Sequence, residues 1–346
     1  MDRSQLKQTF VDHLATPISL DRIENLTADL LAAGRKASRR DRLELAAALA
    51  HAAFLAPDQV AILYDRISET WLSKKISADP VPTLDRQSEP PPEALWAQFW
   101  EVVEEAADGK LDALSITERT AALGGEMPEA FVERVAAMSH TYPGISEAVR
   151  APMPGKIDLD NLAAQPDGSL GAEFHHLIVS NKFDLEVLDR SEIGLAALPS
   201  PLDFLNTRIL QSHDLWHITA GYETTALHEI ALSAFQMAQF GHNYSAQFLS
   251  IVAAVGAISP ASGYKVLMDT VTTSWAHGRE TYPMMLIPWE DVWHKTAEEI
   301  RRDYSIHVYE RPYRADLIER TAPIASIVRK LNSFFARFRI QRAVNA

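Results

Sequence analysis

The stretch PSPLDFLNTRILQSHDLWHITAGYETTALHEIALSAFQMAQF, residues 199–240, decides how this chain folds. Leu202, Leu205, Ile209, Trp216 and Ala220 recur at helical intervals, and Gly221 offers a left-handed stop. Ahead of them, Ser200, Pro201 and Asp203 predict a helix start. The hydroxyl can cap a free amide, proline suits the first helical position, and the carboxylate complements the positive end of the dipole. After Gly221-Tyr222-Glu223, with Thr224 or Thr225 as the next cap, residues 227–238 are apolar nearly all round. That is the pattern of a buried helix, so the stretch predicts a helical hairpin.

On the first of these helices His213 and His217 are four apart, about 40° around the axis and roughly 6 Å along it, so both imidazoles leave the same side. Asp214 sits at the edge of that face. Glu229 follows His217 by twelve residues. On a continuous helix it would lie about 18 Å away, but a turn at Gly221 brings it to the first turn of the returning helix, beside His217. Among apolar neighbours such a carboxylate needs a cation or a strong partner. Two imidazoles with one or two carboxylates suit zinc or another borderline divalent ion. Spacing alone leaves two readings open, a metal site and a hydrogen-bonded core cluster.

The rest of the chain agrees with a mostly α, multi-helix bundle. Apolar residues recur at spacings of three and four through residues 1–78, as in Leu43, Leu45, Ala46, Leu49, Ala52 and Phe54, and again across 94–155. Five prolines in residues 79–93 remove backbone donors and mark a linker between these regions. A third helical unit is expected over 156–310, and residues 311–346 form a basic tail. Strand signals are confined to HHLIVS at residues 175–180 and HVYERPYR at residues 307–314.

With 346 residues, two packed units are expected. A hydrophobic share of 47% and a charged share of 23% describe an ordinary globular chain. The net charge of −13 argues against nucleic acid as a partner, because phosphate affinity comes from a basic surface. The absence of cysteine excludes disulfides, thiolate metal sites and thiol nucleophiles, and fits a cytoplasmic location. The longest apolar run, FLSIVAAVGAI at residues 248–258, is too short for the roughly 20 residues of a spanning helix. In the tail Val328, Leu331, Phe334, Phe335 and Phe338 fall near one face with Arg337 and Arg339 beyond it. A basic amphipathic helix of this kind can lie on the inner face of a membrane or dock on protein.

At His213, Asp214, His217 and Glu229 the sequence resembles the family of the fourth Coq protein of coenzyme Q (ubiquinone) biosynthesis, marked by His-Asp-x-x-His-x11-Glu. The resemblance extends to Gly168-Ser169-Leu170-Gly171, to Arg208 five residues before the motif, and to the segment SWAHGRETYPMMLIPWEDVWHKTAEEIRRDYSI at residues 274–306. It spans about residues 167–306 and leaves residues 1–150 uncovered. It implies an all-helical fold, a bound zinc, peripheral membrane association, and action on a polyprenylated benzoate or quinone precursor alongside other ubiquinone-biosynthesis proteins. The implied reaction is metal-dependent loss of CO₂ at C1 of a 4-hydroxy-3-methoxy-5-polyprenylbenzoate, alone or coupled to hydroxylation of that carbon.

In that reading His213, Asp214, His217 and Glu229 are the metal ligands and the catalytic group, while Arg208, Arg279 and His277 are candidates for holding the substrate carboxylate. The competing expectation is a lipid-binding scaffold that holds prenylated precursors without consuming them. A homodimer is compatible with either. The apolar residues 230–240 and 248–258, with Ala253, Ala254, Gly256 and Ala257, suit a channel for a prenyl tail or close helix packing. His175, His176 and His228 lack ligand spacing, Gly124-Gly125 has no phosphate-loop pattern, and no Gly-x-Ser-x-Gly elbow occurs.

Overall fold

The computed structural model describes residues 2–14, 19–84, 93–111, 113–180 and 197–321. Among them every regular element is helical and no strand forms. The N-terminal part holds α1 (Arg3–Leu14), α2 (Leu20–Ala33), α3 (Arg39–Phe54) and α4 (Val60–Leu72). A connecting part follows with α5 (Glu93–Ala107), α6 (Ala113–Gly125), α7 (Glu129–Ser139) and the short α8 (Ile145–Ala148). The remainder comprises α9 (Leu159–Ala163), α10 (Leu170–Ser180), α11 (Leu202–Ala220), α12 (Ala226–Phe240), α13 (Asn243–Ile258), α14 (Ala261–Glu280), α15 (Ala297–Asp303) and α16 (Leu317–Thr321).

Helices α12, α13 and α14 form the centre. α12 packs chiefly on α14, and the two approach closely at Gly278, where an added Cβ would lie 2.7 Å from the Ala238 Cβ and 2.8 Å from the Phe235 carbonyl oxygen. Only glycine lets the backbones come this near. On the outside, α3 covers α13 and α4 covers α14. Being packed between α13 and α1 explains why α3, RRDRLELAAALAHAAF, is alanine-rich and buried on almost every side. Ser38 starts it by accepting from the Asp41 amide at 3.1 Å. Arg42 then reaches across to the end of α13, donating to the Gly256 and Ser259 carbonyls at 3.1 and 2.6 Å, where a helix terminus leaves acceptors open.

One continuous set of buried side chains runs from Leu6 and Phe10 through Trp71 and Phe99 to Trp275 and Tyr309. The N-terminal helices and the remainder therefore share a core. Even the proline-rich segment takes part, since Val81 is buried and Leu84 packs on the core. Its residues 85–92, and the amphipathic tail from residue 322 on, lie outside the described residues.

Three local expectations are corrected. Residues 175–180 are the second half of α10: Leu170, Phe174 and Ile178 recur every four residues and are buried, a period that a six-residue window hides. The Ser169 hydroxyl caps that helix by accepting from the Ala172 amide at 3.3 Å. Residues 307–314 run without a β ladder, and the Tyr309 amide donates to the Ala220 carbonyl at 2.9 Å. Finally, α11 begins one residue later than its proline suggests, with Pro201 at the cap position and no side-chain cap. Thr225 does occupy the cap position of α12, but its hydroxyl donates to the Ala315 carbonyl instead of accepting from the helix.

The alanines of α13 are spent on packing. Ala253, Ala254 and Ala257 are buried beneath the neighbouring helices, and a Cβ on Gly256 would meet the Leu267 side chain at 3.0 Å.

Candidate metal centre

The corner between α11 and α12 is set by Gly221, which ends α11 at φ 81°, in the left-handed region that favours glycine. Its amide and that of Tyr222 both donate to the His217 carbonyl, at 3.2 and 3.1 Å. Arg301 of α15 covers the neighbouring open acceptors, donating to Thr219 and Ile218 carbonyls at 2.8 and 2.6 Å. With the end of α11 pinned in this way, the chain turns and places Glu229 in the first turn of α12.

The predicted residues converge. Glu229 Oε1 lies 3.4 Å from His217 Nε2, and Oε2 lies 3.7 Å from His213 Nε2. The two imidazoles meet edge to face, with centroids 5.0 Å apart. Asp214 Oδ1 is 3.3 Å from His213 Nδ1. One donor atom from each of His213, Asp214 and His217 lies within 4.8 Å of the others, and the Glu229 carboxylate adds a donor from the second helix.

His217 Nδ1 donates to the Tyr222 carbonyl at 3.0 Å, which fixes the tautomer and leaves Nε2 pointing at Glu229. Distances of 3.4 and 3.7 Å are long for direct hydrogen bonds, whose usual range is about 2.7–3.2 Å. A lone pair facing a carboxylate in a largely buried place demands positive charge between them. The same demand acts on His217 itself: burial opposes its protonation, yet Glu229, Asp214 and the Tyr222 carbonyl together hold its pKa above the ordinary value. A divalent cation satisfies both imidazoles and the carboxylate at once, so the donor set fits the metal that the sequence motif implies.

The candidates for carboxylate binding each have partners within the protein. Arg208 is buried, donates to Glu290 Oε2 at 2.8 Å and thereby ties α11 to the segment before α15. Arg279 is turned to the N-terminal part, where it donates to Asp65 Oδ1 at 3.1 Å and the Asp79 carbonyl. His277 has both ring nitrogens engaged, with the Tyr222 hydroxyl at 2.8 Å and the His307 carbonyl at 2.7 Å. The sequence reading passed over Tyr222 and His242. The first was visible only as part of a turn, and the second carries no ligand spacing.

Beside the centre lies a mainly apolar cavity of about 260 Å³, lined by Phe131 and Val132 of α7, Leu205 and Ile209 of α11, and Phe240 and His242. Ile209 and His213 are four residues apart on α11 and so share a face. An engineered cavity of about 150 Å³ takes benzene, so this one has room for roughly ten carbons.

Two histidines near the site are held neutral. Burial, reinforced by the charge of His213, pushes His242 down to about 3. Burial pushes His228 down to about 4, and its Nδ1 accepts from the Glu223 amide at 2.7 Å, a bond that protonation would break. As both folded values lie below the unfolded value, their contribution to stability is full above pH 6.5 and declines as the pH falls. Each adds a slope of about 1.4 kcal/mol per pH unit. Urea unfolding of the metal-free protein at pH 6.5, 6 and 5.5 is expected to show this loss, and His242→Gln to remove about half of the slope. A stability independent of pH over that window would contradict the buried, neutral state of both rings. The raised His217 acts mainly above pH 6.5, and its opposing slope fades as the pH falls through the window.

The family model for coenzyme Q (ubiquinone) biosynthesis protein Coq4 matches residues 153–310. The ubiquinone biosynthesis protein COQ4 homolog, mitochondrial, of Danio rerio is 28% identical over 152 residues, which cover 43% of this chain and 54% of that protein. The COQ4 protein, mitochondrial, of Yarrowia lipolytica is 28% identical over 152 residues, covering 43% of this chain and 55% of that one. The chain thus spans about half the length of the curated relatives it matches. A solved chain from Nostoc punctiforme, named for ubiquinone biosynthesis, superposes with a TM-score of 0.47 at 20% identity over 61% of this chain and 96% of that chain. The matched segment contains α11, α12 and all four converging residues, and α1 to α8 lie outside it. Residues 153–310 are therefore similar to the coenzyme Q (ubiquinone) biosynthesis protein Coq4 family.

Proposed function

We propose that this protein acts in ubiquinone biosynthesis as a metal-dependent decarboxylase, removing the C1 carboxylate of a 4-hydroxy-3-methoxy-5-polyprenylbenzoate. The observation that supports this most is the convergence of Glu229 on His213 and His217 across the α11–α12 corner, at 3.4 and 3.7 Å. His213, Asp214, His217 and Glu229 would hold a divalent ion, with zinc the fitting choice for nitrogen and oxygen donors. When bound, such an ion supplies Lewis-acid stabilisation of charge that develops on the substrate oxygens.

The chemistry balances on the ring itself. A para phenolate pushes electron density onto C1, C1 takes a proton from solvent or an acidic side chain, and the bond from C1 to the carboxyl carbon then breaks, releasing CO₂ and returning its electron pair to the ring. The protein's part is to orient the ring and exclude water. The Tyr222 carbonyl fixes the His217 ring, while buried Trp216 and Phe240 pack nearby with centroids 5.6 Å apart. The apolar cavity next to His213 suits about two isoprene units of the tail.

A polyprenylated ring is dissolved in lipid, so the reading places the protein at a membrane surface. Among the described residues no helix is long and apolar enough to cross a membrane. The test is CO₂ release from a prenylated 4-hydroxy-3-methoxybenzoate by the purified full chain, run beside elemental metal analysis. Release in step with loss of the acid, by a protein carrying a stoichiometric divalent metal, is the expected result. Binding of the ring with no consumption would instead establish the scaffold reading.

A further inference from the structure

From Val308 on, at and beyond the end of the family match at residue 310, the chain returns to the α11–α12 corner and grips it at several points. The Tyr309 amide donates to the Ala220 carbonyl at 2.9 Å, and the Tyr309 ring stacks on Tyr222 with centroids 4.6 Å apart. Val308 lies so close over Gly221 that an added Cβ would sit 2.5 Å from its Cγ1. Arg311 forms an ion pair with Glu223 in the turn. The Thr225 hydroxyl donates to the Ala315 carbonyl at 3.0 Å. Glu319 of α16 accepts from the Ala226 amide at 2.9 Å, so its carboxylate does for α12 what the Thr225 side chain does not.

We propose that residues 307–319 form a strap that sets the metal affinity of the site, with Glu319 and Arg311 as positioning residues. This rests on the metal-centre reading above. The strap acts on His217 and Glu229 through separate elements. By stacking on Tyr222 and pairing with Glu223 it fixes the turn whose carbonyl orients His217 Nδ1. By capping Ala226 it fixes the first turn of α12, where Glu229 stands three residues further on. The Glu319 carboxylate is well matched to this place, because the N-terminus of a helix offers free amides and the positive end of the dipole. Its other oxygen is buried with no hydrogen-bond partner among the described residues. Groups that orient ligands without touching the ion change affinity by about 10–100-fold when removed. Arg311, Ala315 and Glu319 lie beyond the matched segment, while Val308 and Tyr309 lie at its end.

Zinc affinity, read by competition with a chromogenic chelator on the full chain, tests the proposal. Glu319→Ala is expected to weaken zinc binding by about tenfold or more while helical circular dichroism is unchanged. Glu319→Gln retains an acceptor oxygen and is expected to restore most of the affinity, which a merely structural loss would not predict. Arg311→Ala, an exposed position, is expected to weaken binding to a smaller extent and carries the test if Glu319→Ala fails to fold. Wild-type affinity in the variant that carries the test overturns the strap. No zinc uptake by the unaltered protein overturns the metal centre itself and the proposal with it, so the two failures are told apart by the wild type alone.

Discussion

Glu229→Gln is expected to yield a folded protein that has lost its metal and its turnover. The substitution preserves size and one acceptor oxygen but removes the negative charge shared by two imidazoles at 3.4 and 3.7 Å. A neutral amide cannot offset a divalent ion in a largely buried place. Loss of a direct ligand should exceed the effect of outer-shell changes, so zinc affinity is expected to fall by at least about 100-fold. CO₂ release should fall with it. His217→Ala is expected to behave alike, because the Tyr222 carbonyl that orients the ring has no other ligand to orient. Elemental analysis of each purified variant beside the wild type, with CO₂ release on the same samples, gives the answer. A Glu229→Gln protein carrying the full metal complement would remove this carboxylate from the coordination shell. A variant that is fully metal-loaded but inactive would instead leave it a catalytic role only.

The reason Glu229 was legible in the sequence, and much else was not, is physical. A corner of two helices is local: a glycine, a cap position and a pair of imidazoles four apart constrain one another within about thirty residues, and a reader can rebuild the geometry from 3.6 residues per turn. The helical period likewise marked α3, α5 and α7, where burial follows one or more faces. It failed where the window was too short, as at residues 175–180, whose β-branched run conceals the spacing of Leu170, Phe174 and Ile178. It also failed where a side chain's partner lies far along the chain. Arg42 seeks the end of α13, more than two hundred residues away, and Arg279 turns to Asp65 across a similar distance. Nothing in the local pattern of either arginine distinguishes a capping or docking role from a solvated charge or a substrate ligand. Arg208 shows the same difficulty, since its partner Glu290 was in view only as part of a Trp-Glu pair.

Those long-range pairs decide how the N-terminal helices relate to residues 153–310, and Asp65 is the point at which to test it. This α4 carboxylate receives the indole N–H of Trp275 at 2.8 Å and the Arg279 Nε–H at 3.1 Å, both from α14. Trp275 is fully buried, and the Arg279 side chain is 2% exposed. Among the described residues, Asp65→Ala leaves a buried guanidinium with only the Asp79 carbonyl, and a buried indole N–H with no acceptor. Breaking a buried pair from one side costs about 3–5 kcal/mol. Because the Asp65 side chain is 24% exposed, the expected loss lies at the lower end, about 3 kcal/mol, read as the shift in a urea unfolding transition. Asp65→Asn keeps an acceptor for Trp275 and should lose less. The consequence reaches the site, because α14 also meets α12 closely at Gly278, against Ala238 and Phe235. A loosened α14 frees the helix that carries Glu229, so zinc affinity in Asp65→Ala is expected to fall together with stability. A variant within roughly 0.5 kcal/mol of the wild type, the range of ordinary surface substitutions, would mean that α1 to α4 merely rest on the domain. A loss of both stability and metal means that the N-terminal helices are part of what holds the ligands in place.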